Sequence, residues 1–187
     1  MRGRAILSSA LLVASVAALH GQGVEVAPIA GFRGGGAVFT TLAGERLAHD
    51  TPVVGLIVDV PLDGGVRVEA AFSHQHADDL TTDHWQVGGL QEFLPGRIRP
   101  FLTGVLGLTR YGVGGSNEVR FLTGAGGGVK LFPASRIGLR LDGRVFATFL
   151  DAEGTAIVCG GGPCFIRLHV HVAWQGEFTA GLILRFP

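Results

Sequence analysis

The chain has 187 residues, of which 47% are hydrophobic and 16% charged, with a mean hydropathy of +0.41. Its fifteen basic and fifteen acidic residues cancel, which argues against a nucleic-acid partner, since that role calls for a basic face. Past the N-terminus no apolar run reaches the roughly 18 residues of a spanning helix, so a chain this apolar is either a soluble protein with a large core or a membrane β-barrel.

The first segment reads as an export signal. Arg2 and Arg4 form a positive start, and Ala5 to Leu19 is apolar apart from Ser8, Ser9 and Ser15. Small residues and a polar alternating stretch follow, the pattern of a cleaved secretory leader. Residues 1–22 are assigned to this signal, with cleavage between 17 and 23, and residues 23–187 to one mature domain.

From there, two-residue periodicity alternates with turn-forming residues. Eight strands are predicted, at about 24–33, 52–61, 65–74, 84–94, 100–111, 119–132, 136–149 and 172–186. Three connections are short: Pro61-Leu62-Asp63-Gly64-Gly65, Pro95-Gly96-Arg97 and Pro133-Ala134-Ser135-Arg136. They carry the Pro, Gly, Asp and Ser of tight turns. The other four, roughly 34–51, 75–83, 112–118 and 151–170, are long. Both termini then fall on the short-turn side.

Each strand splits its residues between two faces. In the third, Val66, Val68, Ala70 and Phe72 oppose Arg67, Glu69, Ala71 and Ser73. In the seventh, Ile137, Leu139, Leu141, Val145, Ala147 and Phe149 oppose Arg140, Asp142 and Arg144. The eighth sets Trp174, Phe178, Ala180, Leu182, Leu184 and Phe186 against Gln175, Glu177, Thr179 and Arg185. The second and sixth strands follow the same rule. The fifth, Phe101 to Tyr111, is apolar on both parities, and its faces are left unassigned.

Alternation alone fits a soluble barrel turned the other way, with an apolar interior. The export signal, the short and long connections and the aromatics favour the membrane. Phe93, Phe101, Phe132 and Phe186 fall at short-turn strand ends. Phe72, Trp85, Tyr111, Phe121, Phe149 and Trp174 fall at the other ends, as two interfacial girdles would. The expected fold is all-β: an eight-stranded antiparallel up-and-down transmembrane barrel.

Several stretches resemble a known family. Val26-Ala27-Pro28-Ile29-Ala30-Gly31-Phe32-Arg33, Arg99-Pro100-Phe101-Leu102 and Gly181-Leu182-Ile183-Leu184-Arg185-Phe186 look like the small outer-membrane β-barrels of the OmpA/OmpX type. The resemblance covers about residues 24–187 and is one of fold, with no active-site motif. One departure is that Pro187 follows Phe186, whereas the family ends on the aromatic that the barrel-insertion machinery reads. The resemblance implies a monomer in the outer membrane of a Gram-negative bacterium, in contact with lipid, lipopolysaccharide and that insertion machinery. It implies a structural or surface-interaction role whose ligand it does not name. A small pore and a lipid A-modifying enzyme at the rim are the alternatives on the same fold.

Chemistry-bearing residues are few. His74 and His76, and His169 and His171, each place two imidazoles on one face, with His49 and His84 nearby, but no Cys or carboxylate spacing completes a metal site. Ser73-His74 and Ser116 lack the His-x-Ser pattern of the barrel deacylases. None of the three Gly-Gly-Gly runs, at 34–36, 126–128 and 160–162, has the Lys-Ser/Thr and helix of a phosphate loop. No catalytic residue, metal or cofactor is assigned. Cys159 and Cys164, the only cysteines, flank Gly160-Gly161-Gly162-Pro163 and are expected to form a disulfide in an oxidising exported compartment.

The inward parity collects a charge network. Glu25, Asp59, Glu69, Glu92, Asp142 and Glu177 face Arg33, Arg67, Lys130, Arg140, Arg144 and Arg185, six acids against six bases. A balanced interior is what a narrow, filled barrel requires. Inward Gly55, Gly88, Gly124, Gly126, Gly128 and Gly138 leave room for water, so a thin wet path stays open as the alternative to a filled lumen.

Overall fold

The computed structural model describes residues 23–35, 37–40, 44–47, 51–77, 80–113, 116–158 and 165–187. The expected signal segment, 1–22, and the cysteine pair Cys159 and Cys164 lie outside them.

Ten strands are formed: β1 Glu25–Gly34, β2 Ala37–Thr40, β3 Gly44–Leu47, β4 Thr51–Pro61, β5 Val66–Ala77, β6 Leu80–Glu92, β7 Ile98–Val113, β8 Ser116–Leu131, β9 Ile137–Val158 and β10 Phe165–Arg185. Eight of them close a barrel in the order β1-β10-β9-β8-β7-β6-β5-β4, and β2 and β3 form a separate hairpin. Every neighbouring pair is antiparallel, with β1 closing on β10 through pairs such as Val26↔Leu184 and Arg33↔Glu177. A closed barrel leaves no edge and satisfies each backbone group within the wall, the condition for crossing lipid without a helix.

Three tight turns link the strands at one end. A short 3-10 turn at Asp63–Gly65 has Gly64 and Gly65 at positive φ (69° and 80°), where a side chain would be strained. A backbone bond from Phe93 to Pro100 closes the turn at 93–97, and one from Phe132 to Arg97 ties that turn to the neighbouring turn at 132–136.

At the other end the structure corrects the expected loops. Residues 75–77, 80–83, 112–113, 116–118, 151–158 and 165–170 belong to strands, and β2–β3 occupies part of 34–51. The period-two signal stops where lipid stops imposing opposite solvents on the two faces. The backbone ladder does not need that contrast and continues. The last pair continues furthest. β8 meets β9 only up to Phe121↔Phe149, and β1 meets β10 only up to Gly34↔Gly176, yet β9 and β10 stay paired to Val158↔Phe165. A two-stranded ribbon of about 30 Å thus rises beyond the wall.

The outer surface is apolar. Val54, Leu56, Val87, Leu102, Leu106, Leu139, Leu141, Val145, Phe178 and Leu182 are all exposed. The fifth barrel strand, β7, resolves in register: Phe101, Thr103, Val105, Thr109 and Tyr111 point inward, and Leu102, Leu106 and Leu108 point outward. Three residues assigned to the aromatic girdles are corrected by the same pattern. Phe101, Phe132 and Tyr111 are buried in the lumen, whereas Trp85, Phe93, Phe121, Trp174 and Phe186 are exposed on the outside. Position along the strand suggests a girdle for all of them; parity sends these three inside.

Candidate functional site

The barrel interior gathers the chemistry. All twelve charged residues of the inward parity are in the lumen, and ten of them join in one chain of ion pairs. Near the turn end, Lys130 Nζ donates to Glu25, Asp59 and Glu92 at 2.8, 2.7 and 3.0 Å. Arg185 and Arg67 also reach Glu25, at 2.7 and 3.2 Å. Asp59 passes the chain to Arg140, which binds Asp59, Glu69 and Asp142 at 2.8, 2.5 and 2.6 Å. Arg144 closes it on Glu69 and Asp142, at 2.8 and 3.0 Å, and donates to Gln86.

The remaining two, Arg33 and Glu177, form their own pair towards the open end. Arg33 Nε donates to Glu177 at 2.8 Å, and the guanidinium also bonds Ser73 Oγ. Register explains the pairing: Arg33 lies opposite Glu177 across β1–β10, and Asp59 opposite Glu69 across β4–β5. The two facing acids are tolerated because Arg140 bridges them. Lys130, Glu69, Arg33 and Arg140 are at most 1% exposed. Charges this deep are stable only when each meets opposite charge with sound hydrogen-bond geometry.

Sequence reasoning missed two parts of this interior. Arg99, on the turn side, reaches Glu92 at 3.2 Å. The inward aromatics are platforms for the bases. Phe101 lies under Arg140 at 4.6 Å and Lys130 at 5.7 Å, and Phe132 takes Arg185 at 4.0 Å and Arg99 at 4.9 Å. A cation held over a desolvated ring gains about 2 kcal/mol or more. The available signal was parity: Phe132 and Phe101 share a face with Lys130 and Arg99.

The inward glycines pack against lumen side chains. Space beside four of them is taken by large side chains. A Cβ at Gly124 would lie 2.5 Å from the Phe146 ring, at Gly126 2.8 Å from Arg144, at Gly128 2.8 Å from Phe101 and at Gly138 2.8 Å from Phe132. These glycines make room for rings and an arginine stem.

The histidines scatter. His84 is buried inside, edge-on to Phe146 at 5.1 Å. His74 and His76 are outside on β5, with His74 Nδ1 2.7 Å from Asp83 Oδ1. Among the described residues no group of three His, Cys, Asp or Glu has metal-holding geometry. His49 and the side chains of His169, His171 and Ser116 lie outside the described set. Ser73 and His74 point to opposite faces of β5, so the structure does not bring that pair together.

No protein-family model matches the chain, and no curated protein matches it in sequence. Solved structures do match. Neisserial surface protein A aligns with a TM-score of 0.62 at 17% identity, covering 87% of this chain and 97% of that one. Outer membrane protein H (OprH) of Pseudomonas aeruginosa aligns at 0.54 and 14%, over 87% and 99%. The N-terminal β-barrel domain of OprF from the same organism aligns at 0.52 and 11%, over 87% and 98%. This chain therefore has the fold of the small bacterial outer-membrane β-barrels, and its apolar exterior is the surface such a barrel turns to lipid.

Proposed function

We propose that this protein is a non-conducting outer-membrane barrel that acts through its outer surfaces, as a structural or surface-interaction protein. The observation that carries the reading is the interior. A neutral chain of five acids and five bases, backed by Phe101 and Phe132, occupies the lumen from β1 to β10. Eight strands enclose only enough room for side chains, and here those side chains are tied to one another. Function then belongs to the outside. The β9–β10 ribbon stands beyond the wall, and each strand there keeps one ladder of backbone groups unpaired among the described strands. Such an edge suits an extended partner.

The barrel reaches the membrane through the barrel-insertion machinery, after removal of the leader, and works as a monomer among lipid and lipopolysaccharide. Planar-bilayer recording of the refolded mature protein tests the closed lumen. The expected trace lacks large, steady, porin-like steps; their routine appearance overturns the reading in favour of a small pore.

A further inference from the structure

The outer wall carries one polar cluster set directly above an apolar groove. The groove, about 450 Å³, lies on β4–β7. Ala70 forms its floor, the small residue in a cross-strand row with Val58, Val87 and Leu106. Phe72, Trp85 and Leu108 stand along its loop-side end, with the Phe72 and Trp85 rings 4.4 Å apart. Two residues further along the same strands, roughly 7 Å, the outward row changes to His74, Asp83 and Arg110.

These three are linked. His74 Nδ1 is 2.7 Å from Asp83 Oδ1, and Arg110 Nη1 is 3.8 Å from Asp83 Oδ2. Arg110 Nε and Nη2 donate to Asn117 Oδ1 at 3.1 and 2.9 Å. His76 stands beside them against Thr81. Asp83 and Asn117 therefore orient a guanidinium and an imidazole that are still about half exposed (51% and 43%). A second outer groove, about 610 Å³ around Gly143, has no basic residue in its lining.

We infer that the β4–β7 face binds one lipid of the loop-side leaflet whose head is a terminal, monoester phosphate. Its phosphate lies between Arg110 and His74, and an acyl chain lies along Ala70. This rests on the membrane-barrel reading. A planar guanidinium fork held from behind is suited to phosphate oxygens. A groove walled by Leu56, Val87, Leu106 and the Phe72–Trp85 pair is suited to an acyl chain. An amphiphile with a phosphate head and an acyl chain would use both at once.

Native mass spectrometry of the folded protein in neutral detergent, offered dioleoyl phosphatidic acid and dioleoyl phosphatidylcholine, tests this. The expected result is one retained phosphatidic acid, favoured at least tenfold over phosphatidylcholine. Arg110→Gln and Ala70→Phe should each reduce that preference about tenfold, and Arg97→Gln, on a turn at the other end, should leave it unchanged. His74→Gln and Ala70→Leu serve as second variants at the two halves of the site. Equal retention of both lipids overturns the inference. So does an effect at only one half, because a bare phosphate site or a bare acyl groove is a different site. Heat-modifiable gel mobility checks the barrel separately: its absence in the wild type counts against the membrane-barrel reading, not against the lipid site.

Discussion

Arg33→Met isolates the energetics of the buried lumen. Glu177 has Arg33 as its one ion-pair partner among the described residues, and the two side chains are 0% and 3% exposed. Every other lumen acid touches at least two bases. Methionine keeps much of the arginine stem's volume, so the change chiefly removes charge and hydrogen bonds. A buried carboxylate left alone costs about 3–5 kcal/mol, whereas a solvated pair is worth about 0.2–1 kcal/mol. The double variant Arg33→Met/Glu177→Leu removes both charges and should recover to within about 1–2 kcal/mol of the wild type, since replacing both partners by apolar groups is often near neutral. Reversible urea unfolding in phospholipid vesicles, followed through Trp85 and Trp174, measures all of these. A loss under about 1 kcal/mol for Arg33→Met would refute a dry upper lumen. Arg140→Met is the internal comparison. Its three carboxylates each keep a second base, Lys130 for Asp59 and Arg144 for Glu69 and Asp142. Its cost, on the order of 3 kcal/mol, should not exceed that of Arg33→Met.

Leu141→Arg and Leu182→Arg, on the exposed apolar face, should each destabilise the barrel by about 2–4 kcal/mol in the same unfolding assay; losses under about 1 kcal/mol would contradict the assigned faces. Gly128→Ala should cost about 1–3 kcal/mol by crowding Phe101 and the carbonyl of Leu141, and an unchanged midpoint would mean that Phe101 does not occupy that space. The proposed Cys159–Cys164 bridge should leave no thiol for alkylation before reduction, read by mass spectrometry of the mature protein.

Which face of a strand meets lipid was readable because two solvents act on the two parities. Arg67, Glu69 and Ser73 on β5, or Arg140, Asp142 and Arg144 on β9, are legible as one wall of a lumen for that reason. β7 was not legible, because on its lumen side Phe101, Val105 and Tyr111, apolar on either face, outnumber Thr103 and Thr109. Only its neighbours decide: Phe101 lies opposite Glu92 on one side and Gly128 on the other, both inward. The same limit explains the girdle error. Phe101 and Phe132 stand at the level of an interfacial aromatic, so position along the strand points outward, while cross-strand parity with Lys130 points inward. Parity wins because a side chain cannot cross the wall of its own strand. Partner choice inside the lumen was not legible at all. Lys130 meets Glu25, 105 residues away, across the lumen, and such pairs depend on barrel diameter and strand stagger, which no local pattern encodes. Charge balance needs no such geometry. Five acids and five bases can satisfy one another in several arrangements, so equal numbers can be read from sequence while the pairing must be read from the closed barrel.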